Sequence, residues 1–272
     1  METGAKVNWA AVTVLAAASV VIGGCHRPVQ PVAAAPEQPR PPSDYVAPPE
    51  LTSASRQAGG AVVLSGGAAP GAPVRLASPD GSALTSVATA AGVWSMATPA
   101  AREPRLYSLS EGVLGRPVRA KGYIAVLPIP APAAAMLRPG GGAEPLPGLE
   151  PRLRLSGVDF DSSGAGVAAG VAPPGETVRL LLDGVETGVG RANARGVFTV
   201  PLAQTLHPGP HVLTAATSRA QASAAFSAAP AAAIAHPPVA TTRVGGAWRI
   251  DWMTPGGGVQ TTLIFDPSEA IA

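Results

Sequence analysis

The sequence predicts an all-β protein with two small β-sandwich domains joined by Pro/Ala-rich linkers and followed by a C-terminal β-hairpin. Glycine and proline are abundant, with 32 and 31 of 272 residues, and they place turns along the whole chain. Between the turns, short segments alternate apolar and polar residues, as half-buried strands do. An internal repeat completes the pattern, because AAPGAPVRL at 68–76 returns as APPGETVRL at 172–180, and such self-similarity marks a repeated structural unit.

The repeat extends beyond this stretch, towards the C-terminal side of each copy. Gly92 lies 21 positions after Gly71, and Gly196 lies 21 positions after Gly175. In both copies an aromatic residue follows two positions after the second glycine, where it is expected to fill a core. Each copy therefore predicts a succession of turns and strands with the same spacing.

The strands of each copy are predicted to have one dry and one wet face. Val74 and Leu76 alternate with Arg75 in the first copy, and the second copy repeats the alternation. Asp-Gly pairs at 80–81 and 183–184 predict short hairpin turns. Several short strands with Gly/Pro turns at spacings of about 8–12 residues are typical of a β-sandwich.

The Pro-rich stretches divide the chain into segments. The predicted segments are a lipoprotein signal peptide (1–24), a Pro-rich tether (25–57), a first domain (58–128), a linker (129–151), a second domain (152–228), a linker (229–240) and a Trp-rich hairpin (241–267). Residues 26–50 lack apolar periodicity and predict a polyproline-like tether, which at about 3.1 Å per residue extends roughly 75 Å.

The second copy resembles the bacterial Ig-like domains of envelope proteins. In that family a V-D-Y-D-like strand end leads to a G-x-A-x-P-G turn, a V-x-L strand, a D-G turn and a G-x-W/F strand. The matching residues here are 158–161, 170–175, 178–180, 183–184 and 196–198. The resemblance implies a spacer or adhesion-like sandwich and specifies no ligand.

The only cysteine, Cys25, follows an apolar run from Val7 to Ile22. This run is about 16 residues, or roughly 24 Å as a helix, which is short for a bilayer core of about 30 Å. A cleaved export signal is therefore favoured over a permanent span. The stretch IGGC at 22–25 resembles the lipobox of bacterial lipoproteins, whereas the alternative interpretation is an uncleaved signal anchor with an incidental cysteine.

The lipobox resemblance implies that Cys25 becomes the N-terminus and carries acyl chains such as palmitate, which anchor stably where one chain alone is marginal. Residue 26 is His, and by analogy with enterobacterial sorting this implies the outer membrane, facing the periplasm. With its only thiol lipidated, the mature chain has no disulfide, although a cell envelope would permit one.

Charge and composition disfavour several function classes. The net charge is +2 and the pI near 9.0 arises from scattered arginines, without a basic block interleaved with aromatics, so nucleic acid is not an expected partner. No cofactor is predicted. The expected partners are the membrane, through the lipid anchor, and envelope proteins or peptidoglycan.

A weak calcium candidate lies in DFDSSG at 159–164, where Asp159, Asp161 and Ser163 could supply oxygen ligands. A calcium loop needs a bidentate acid at its twelfth position, where Gly170 stands instead. The favoured interpretation is a strand end that runs into a polar turn.

Catalytic constellations are not predicted. His207 and His211 are four apart but enclose Pro-Gly-Pro, which forbids a zinc-binding helix. There is no G-x-S-x-G motif, and the other two histidines, His26 and His236, lie in predicted linkers. A lipidated Cys25 has no free thiol for nucleophilic attack, so we predict that the protein is not an enzyme.

The segment 245–265 predicts a β-hairpin in which Trp248, Ile250 and Trp252 share one face and Arg249 and Asp251 share the other. The favoured interpretation is that the tryptophans cover a sandwich. We thus predict a non-enzymatic envelope lipoprotein that serves as a tethered structural or protein-interaction module. The alternative is a carbohydrate- or peptidoglycan-binding lipoprotein in which Trp248 and Trp252 stack on sugar rings.

Overall fold

The computed structural model describes residues 46–128, 132–146, 152–231, 234 and 238–266. The regular secondary structure of these residues consists of β-strands alone, which confirms the all-β prediction. Neighbouring strands within the sheets are antiparallel. The predicted signal peptide, Cys25, His26, His236 and most of the tether lie outside the described residues.

The first sandwich packs a sheet of three strands against a sheet of four. Its strands are β1 (Glu50–Arg56), β2 (Val62–Gly67), β3 (Pro73–Ala77), β4 (Ala83–Val87), β5 (Val93–Thr98), β6 (Arg105–Val113) and β7 (Arg116–Val126). Their order is β1-β2-β5 in one sheet and β4-β3-β6-β7 in the other. Val74 and Leu76 are fully buried whereas Arg75 is exposed, as the alternation predicts.

The second sandwich has the same topology as the first. Its strands are β10 (Arg154–Asp161), β11 (Gly166–Val171), β12 (Thr177–Leu182), β13 (Val185–Arg191), β14 (Val197–Pro201), β15 (Gly209–Ala216) and β16 (Gln221–Ala228). The order is β14-β11-β10 in one sheet and β13-β12-β15-β16 in the other. In each sandwich the chain crosses between the sheets three times, after β2, β4 and β5 in the first and after β11, β13 and β14 in the second. This is the immunoglobulin-like arrangement.

The repeat is visible in individual turn hydrogen bonds. In the first sandwich Ala68 N–H donates to the Gly92 carbonyl at 2.8 Å, and in the second Ala172 N–H donates to the Gly196 carbonyl at 2.9 Å. Each residue of the second pair lies 104 positions after its counterpart in the first pair. Several further turn bonds repeat at this offset, so the two copies share backbone geometry as well as sequence pattern.

The aromatic residues at equivalent positions of the two copies fill separate cores. Trp94 and Phe198 are each 1% exposed, and each lies among the buried aliphatic side chains of its own sandwich. The indole N–H of Trp94 donates to the carbonyls of Glu50 at 3.2 Å and Gly67 at 3.1 Å. The first sandwich therefore begins at β1, within residues 25–57, and the predicted tether is too long at its C-terminal end.

The predicted linker 129–151 contains two strands, β8 (Ala134–Arg138) and β9 (Gly142–Leu146). They extend the four-stranded sheet of the first sandwich beyond β7. The Ala-rich run of β8 lacks alternation because both of its faces are buried, and such strands read as continuous apolar segments. Proline is tolerated in β9 because β9 is an edge strand.

The C-terminal hairpin is confirmed, but it is not a separate element. The final strands are β17 (Val239–Val244), β18 (Ala247–Met253) and β19 (Val259–Phe265). Since β19 pairs with β10, all three extend the second sandwich into a six-stranded sheet, β14-β11-β10-β19-β18-β17. Hydrogen bonding to β10 gives the hairpin the support that an isolated two-stranded unit lacks.

The added strands of the two sandwiches meet in a third hydrophobic core. Strands β6 to β9 supply one wall, and strands β18 and β19 supply the other. The buried members are Leu106, Ala125, Leu127, Ala135, Leu137, Ala143, Ile250, Trp252 and Ile264. We call this set the shared core, and it joins the two sandwiches directly.

Candidate functional site

The shared core is where the predicted sugar-binding tryptophans lie. Trp252 is 0% exposed and contacts Tyr123 edge to face, with ring centroids 5.4 Å apart. Its indole N–H donates to the Thr262 hydroxyl at 3.0 Å. Because no face of this ring reaches solvent, Trp252 cannot stack on a sugar, and the predicted site is corrected here to a packing role.

Trp248 shares a face with Trp252, as predicted, but lies nearer the edge of the shared core and is only partly buried. The guanidinium carbon of Arg243 lies 5.2 Å from the Trp248 ring centroid, a cation–π geometry. One ring face is thus covered by Arg243. The two tryptophans therefore do not form an open stacking platform.

The opposite face of β18 carries a buried ion pair. Arg249 and Asp251 are 9% and 7% exposed, and Arg249 Nε donates to Asp251 Oδ2 at 2.9 Å. Arg249 Nη2 also donates to the carbonyls of Ala229 and Pro230. The chain after β16 therefore covers this face and encloses the ion pair. The sequence pattern places Arg249 and Asp251 on one face of the hairpin but does not show that this face is covered.

The calcium candidates are separated by the structure. Asp159 is 2% exposed, and its Oδ2 accepts hydrogen bonds from Gly142 N–H and Gln260 Nε2, each at 2.8 Å. Its Oδ1 has no hydrogen-bond partner among the residues described. Burial raises the pKa of Asp159 to about 7, although hydrogen bonds from Thr262, Gly142 and Gln260 oppose the shift.

Asp161 and Ser163 instead form a closed polar turn. Asp161 Oδ1 accepts hydrogen bonds from Ser163 N–H at 2.8 Å, from the Ser163 hydroxyl at 2.6 Å and from Ala165 N–H at 3.2 Å. The Ser163 hydroxyl, followed by backbone donors, lowers the pKa of Asp161 against a smaller effect of burial. In the described ranges, no group of three or more His, Cys, Asp or Glu side chains is placed to hold a metal ion.

His207 lies at the turn before β15, and His211 lies within β15, where its ring makes two polar contacts. His211 Nδ1 lies 2.7 Å from Asp183 Oδ2, and Nε2 lies 2.8 Å from the His207 carbonyl oxygen. Burial lowers the pKa of His211, but these hydrogen bonds and the Asp183 charge outweigh it and leave the pKa raised. The pair ties β15 to the β12–β13 turn.

The residues that sequence reasoning missed are those at the tip of the β8–β9 hairpin, which docks on the second sandwich. Gly140 N–H donates to Gln260 Oε1 at 3.0 Å, and Gly142 N–H donates to Asp159. Glu144 bridges Arg138 and Arg195, both at 3.0 Å. Only tertiary contact brings these groups together. The three consecutive glycines at 140–142 are nevertheless a sequence signal of close backbone approach.

The described residues contain no helix long and apolar enough to cross a bilayer. Fold and contacts together define an all-β protein of two fused immunoglobulin-like sandwiches, with buried polar groups such as Asp159 and Gln260 at the junction between them.

Comparison by sequence finds no family model and no curated protein that matches this chain. Among solved structures, the BSP domain of a biofilm-associated protein aligns at 11% identity and TM-score 0.24, over 68% of this chain and 30% of that chain. The central fibronectin-III array of a RIM-binding protein aligns at 12% identity and TM-score 0.26, over 84% and 91%.

Invasin, a bacterial integrin-binding protein, aligns at 12% identity and TM-score 0.22, over 80% of this chain and 54% of that chain. The chain thus spans about half the length of the invasin structure and less of the biofilm-associated one. Likenesses at these scores carry no inference about ligands, and the fold stated above rests on the sheets and cores of this chain.

Proposed function

We propose that this protein is a non-enzymatic lipoprotein of the cell envelope that acts as a structural or protein-interaction module. Acyl chains on Cys25 hold one end at the membrane, and the Pro-rich tether sets its reach. The fused sandwiches then present faces and sheet edges to envelope partners. The outer membrane, with the protein facing the periplasm, is the location that we infer from the residue after Cys25.

The observation that carries the proposal is the shared core. The deepest polar groups near it, including Asp159 and Gln260, bond to neighbouring backbone and side chains rather than converge on an open cleft. Such an arrangement suits a rigid spacer, since it stiffens the junction between domains that a loose linker would leave free.

The lipid anchor is tested by metabolic labelling with an alkyne fatty acid in a bacterial host that processes lipoproteins. We expect wild-type protein to incorporate the label and to sediment with membranes, and Cys25→Ala to do neither. Intrinsic tryptophan fluorescence of both proteins controls for folding. Equal labelling of the two proteins, or an unlabelled wild type, would contradict the proposal.

A further inference from the structure

The tip of the β6–β7 hairpin exposes an apolar side chain in an unfavourable backbone conformation. Leu114 is 97% exposed, and its φ of 50° lies in the left-handed region. With Gly115 at φ 75°, it forms a two-residue turn of the kind in which Asn, Asp or Gly is preferred first. Asp183 meets that preference in the two-residue turn between β12 and β13. Because its side chain is almost fully exposed, no packing in the described fold stabilises leucine at position 114, which points to a contact outside the chain.

Other exposed apolar side chains lie at the same end of the first sandwich. Val87 is 65% exposed and pairs with Pro73, which packs beside Gly112, two residues before Leu114. Val93 is 51% exposed and begins β5 at this end. This set of Val87, Val93 and Leu114, which we call the apolar end, lies away from the shared core.

Cationic side chains surround the apolar end. Arg116 directly follows the turn, and Arg119 follows along β7; both are exposed. Arg75 is exposed on β3 and lies in the same cross-strand row as Arg119, with Ser110 between them. Within the part of the chain that the structure describes, Arg75, Arg116 and Arg119 form no ion pair with a carboxylate.

The chain enters the first sandwich on this side. Glu50, the first residue of β1, pairs with Gly67, which in turn pairs with Val93. Residues 47–51 line an open cleft of about 400 Å³ together with Lys121, with Arg138 of β8 and with Arg195 of the second sandwich. The first residue of β1 therefore lies at the same end of its sheet as Val93.

We propose that the apolar end is a membrane-contact surface, with Leu114 inserted among the headgroups of an anionic bilayer and with Arg75, Arg116 and Arg119 facing lipid phosphates. This inference rests on the proposed lipid anchor. Apolar side chains ringed by Lys and Arg are the chemistry that binds anionic interfaces. The tether keeps the surface at a high effective concentration near the bilayer, so a contact that is weak by itself suffices.

The contact is tested by hydrogen exchange of the full, lipidated chain on vesicles of phosphatidylcholine with phosphatidylglycerol, compared with phosphatidylcholine alone. We expect backbone amides at 113–116 to exchange about tenfold more slowly on the anionic vesicles. Leu114→Asn, which suits the left-handed turn and keeps the fold, should abolish the difference. Val185→Asn is the matched control, because Val185 is 56% exposed beside a similar turn of the second sandwich, and it should retain the protection.

Vesicle flotation in the same samples reports the lipid anchor separately. A wild type that floats but exchanges equally on both vesicle types would overturn the membrane contact and leave the anchor standing. If the wild type does not float, the same exchange is run with Cys25→Ser at high vesicle concentration, where Leu114-dependent protection still supports the contact and its absence overturns it. Protection that requires added envelope protein would assign the apolar end to a protein partner and also overturn the proposal.

Discussion

At the scale of single residues, Asp159 is a buried carboxyl group whose raised pKa makes stability depend on pH. Its carboxyl group lies between β10, the tip of the β8–β9 hairpin and Gln260, away from water. Because burial raises its pKa to about 7 from an ordinary value of 3.8, the folded state holds a proton there that the unfolded chain releases near pH 4. The junction is therefore most stable when Asp159 is neutral.

The linkage fixes the sign of the pH dependence. Between about pH 4 and pH 7 the folded state binds more protons at Asp159 than the unfolded state, so the free energy of unfolding falls as pH rises through this window. We expect the wild-type Tm to fall by about 5 °C or more between pH 5 and pH 8. Asp159→Asn removes the charge, so its Tm should fall less, as followed by circular dichroism.

Two other groups serve as controls for that experiment. The raised pKa of His211 gives a loss of stability with rising pH in the same direction, but Asp159→Asn retains it, so the difference between the two proteins isolates Asp159. Asp161 is a nearby carboxyl whose pKa is lowered, and Asp161→Asn should keep the wild-type slope between pH 5 and 8. Parallel slopes for wild type and Asp159→Asn would refute the assignment.

At the scale of elements, the β8–β9 hairpin is the piece that connects the two sandwiches. It continues the sheet of the first sandwich and docks its tip on β10 and β11 of the second. Gly142 has a φ of 72°, and a Cβ there would lie 2.5 Å from the Ala169 Cβ. The approach is too close for any side chain, so glycine is required for docking.

We expect Gly142→Ala to lower the free energy of unfolding by about 2–4 kcal/mol, because the methyl group both clashes and disfavours the left-handed backbone. Gly140→Ala is the matched control. Gly140 has a φ of 62° but open space around the Cβ position, so it should cost only about 1 kcal/mol. Urea denaturation measures both values, and equal losses would mean that close packing on Ala169 does not matter.

At the scale of the whole molecule, the shared core makes the two sandwiches one structural unit. Two repeats on a flexible linker would unfold independently, whereas a common apolar core couples them. The fully buried Trp252 is part of this coupling. Its ring contacts Tyr123 of the first sandwich, and its indole N–H donates to Thr262 of the second.

We therefore expect differential scanning calorimetry to give one transition whose calorimetric and van't Hoff enthalpies agree. Trp252→Ala should remove about 3–5 kcal/mol and split the transition in two, because its cavity lies between the sandwiches. Trp94→Ala is the control, since its cavity lies inside the first sandwich and leaves the shared core in place; its transition should be lower but single. Two transitions in the wild type would show that the sandwiches are not coupled.

Residues with local signals were predictable. The alternation of Val74, Arg75 and Leu76, the Asp-Gly turns and the core positions of Trp94 and Phe198 follow from spacing alone, because strand period and turn chemistry are local properties. The shared face of Trp248 and Trp252 was also predictable. What covers that face was not, because a period of two assigns side chains to faces without saying which face meets water.

By itself, the sequence determined an all-β chain with two copies of one sandwich and a C-terminal hairpin. Only the tertiary structure decided that 134–146 forms strands, that the hairpin joins the second sheet and that Trp252 and Asp159 are buried at a junction. The physical reason is that β pairing joins residues far apart in sequence: β10 and β19 are neighbours although about a hundred residues separate them. A strand buried on both faces, such as β8, also carries no periodic signal that distinguishes it from an Ala-rich linker.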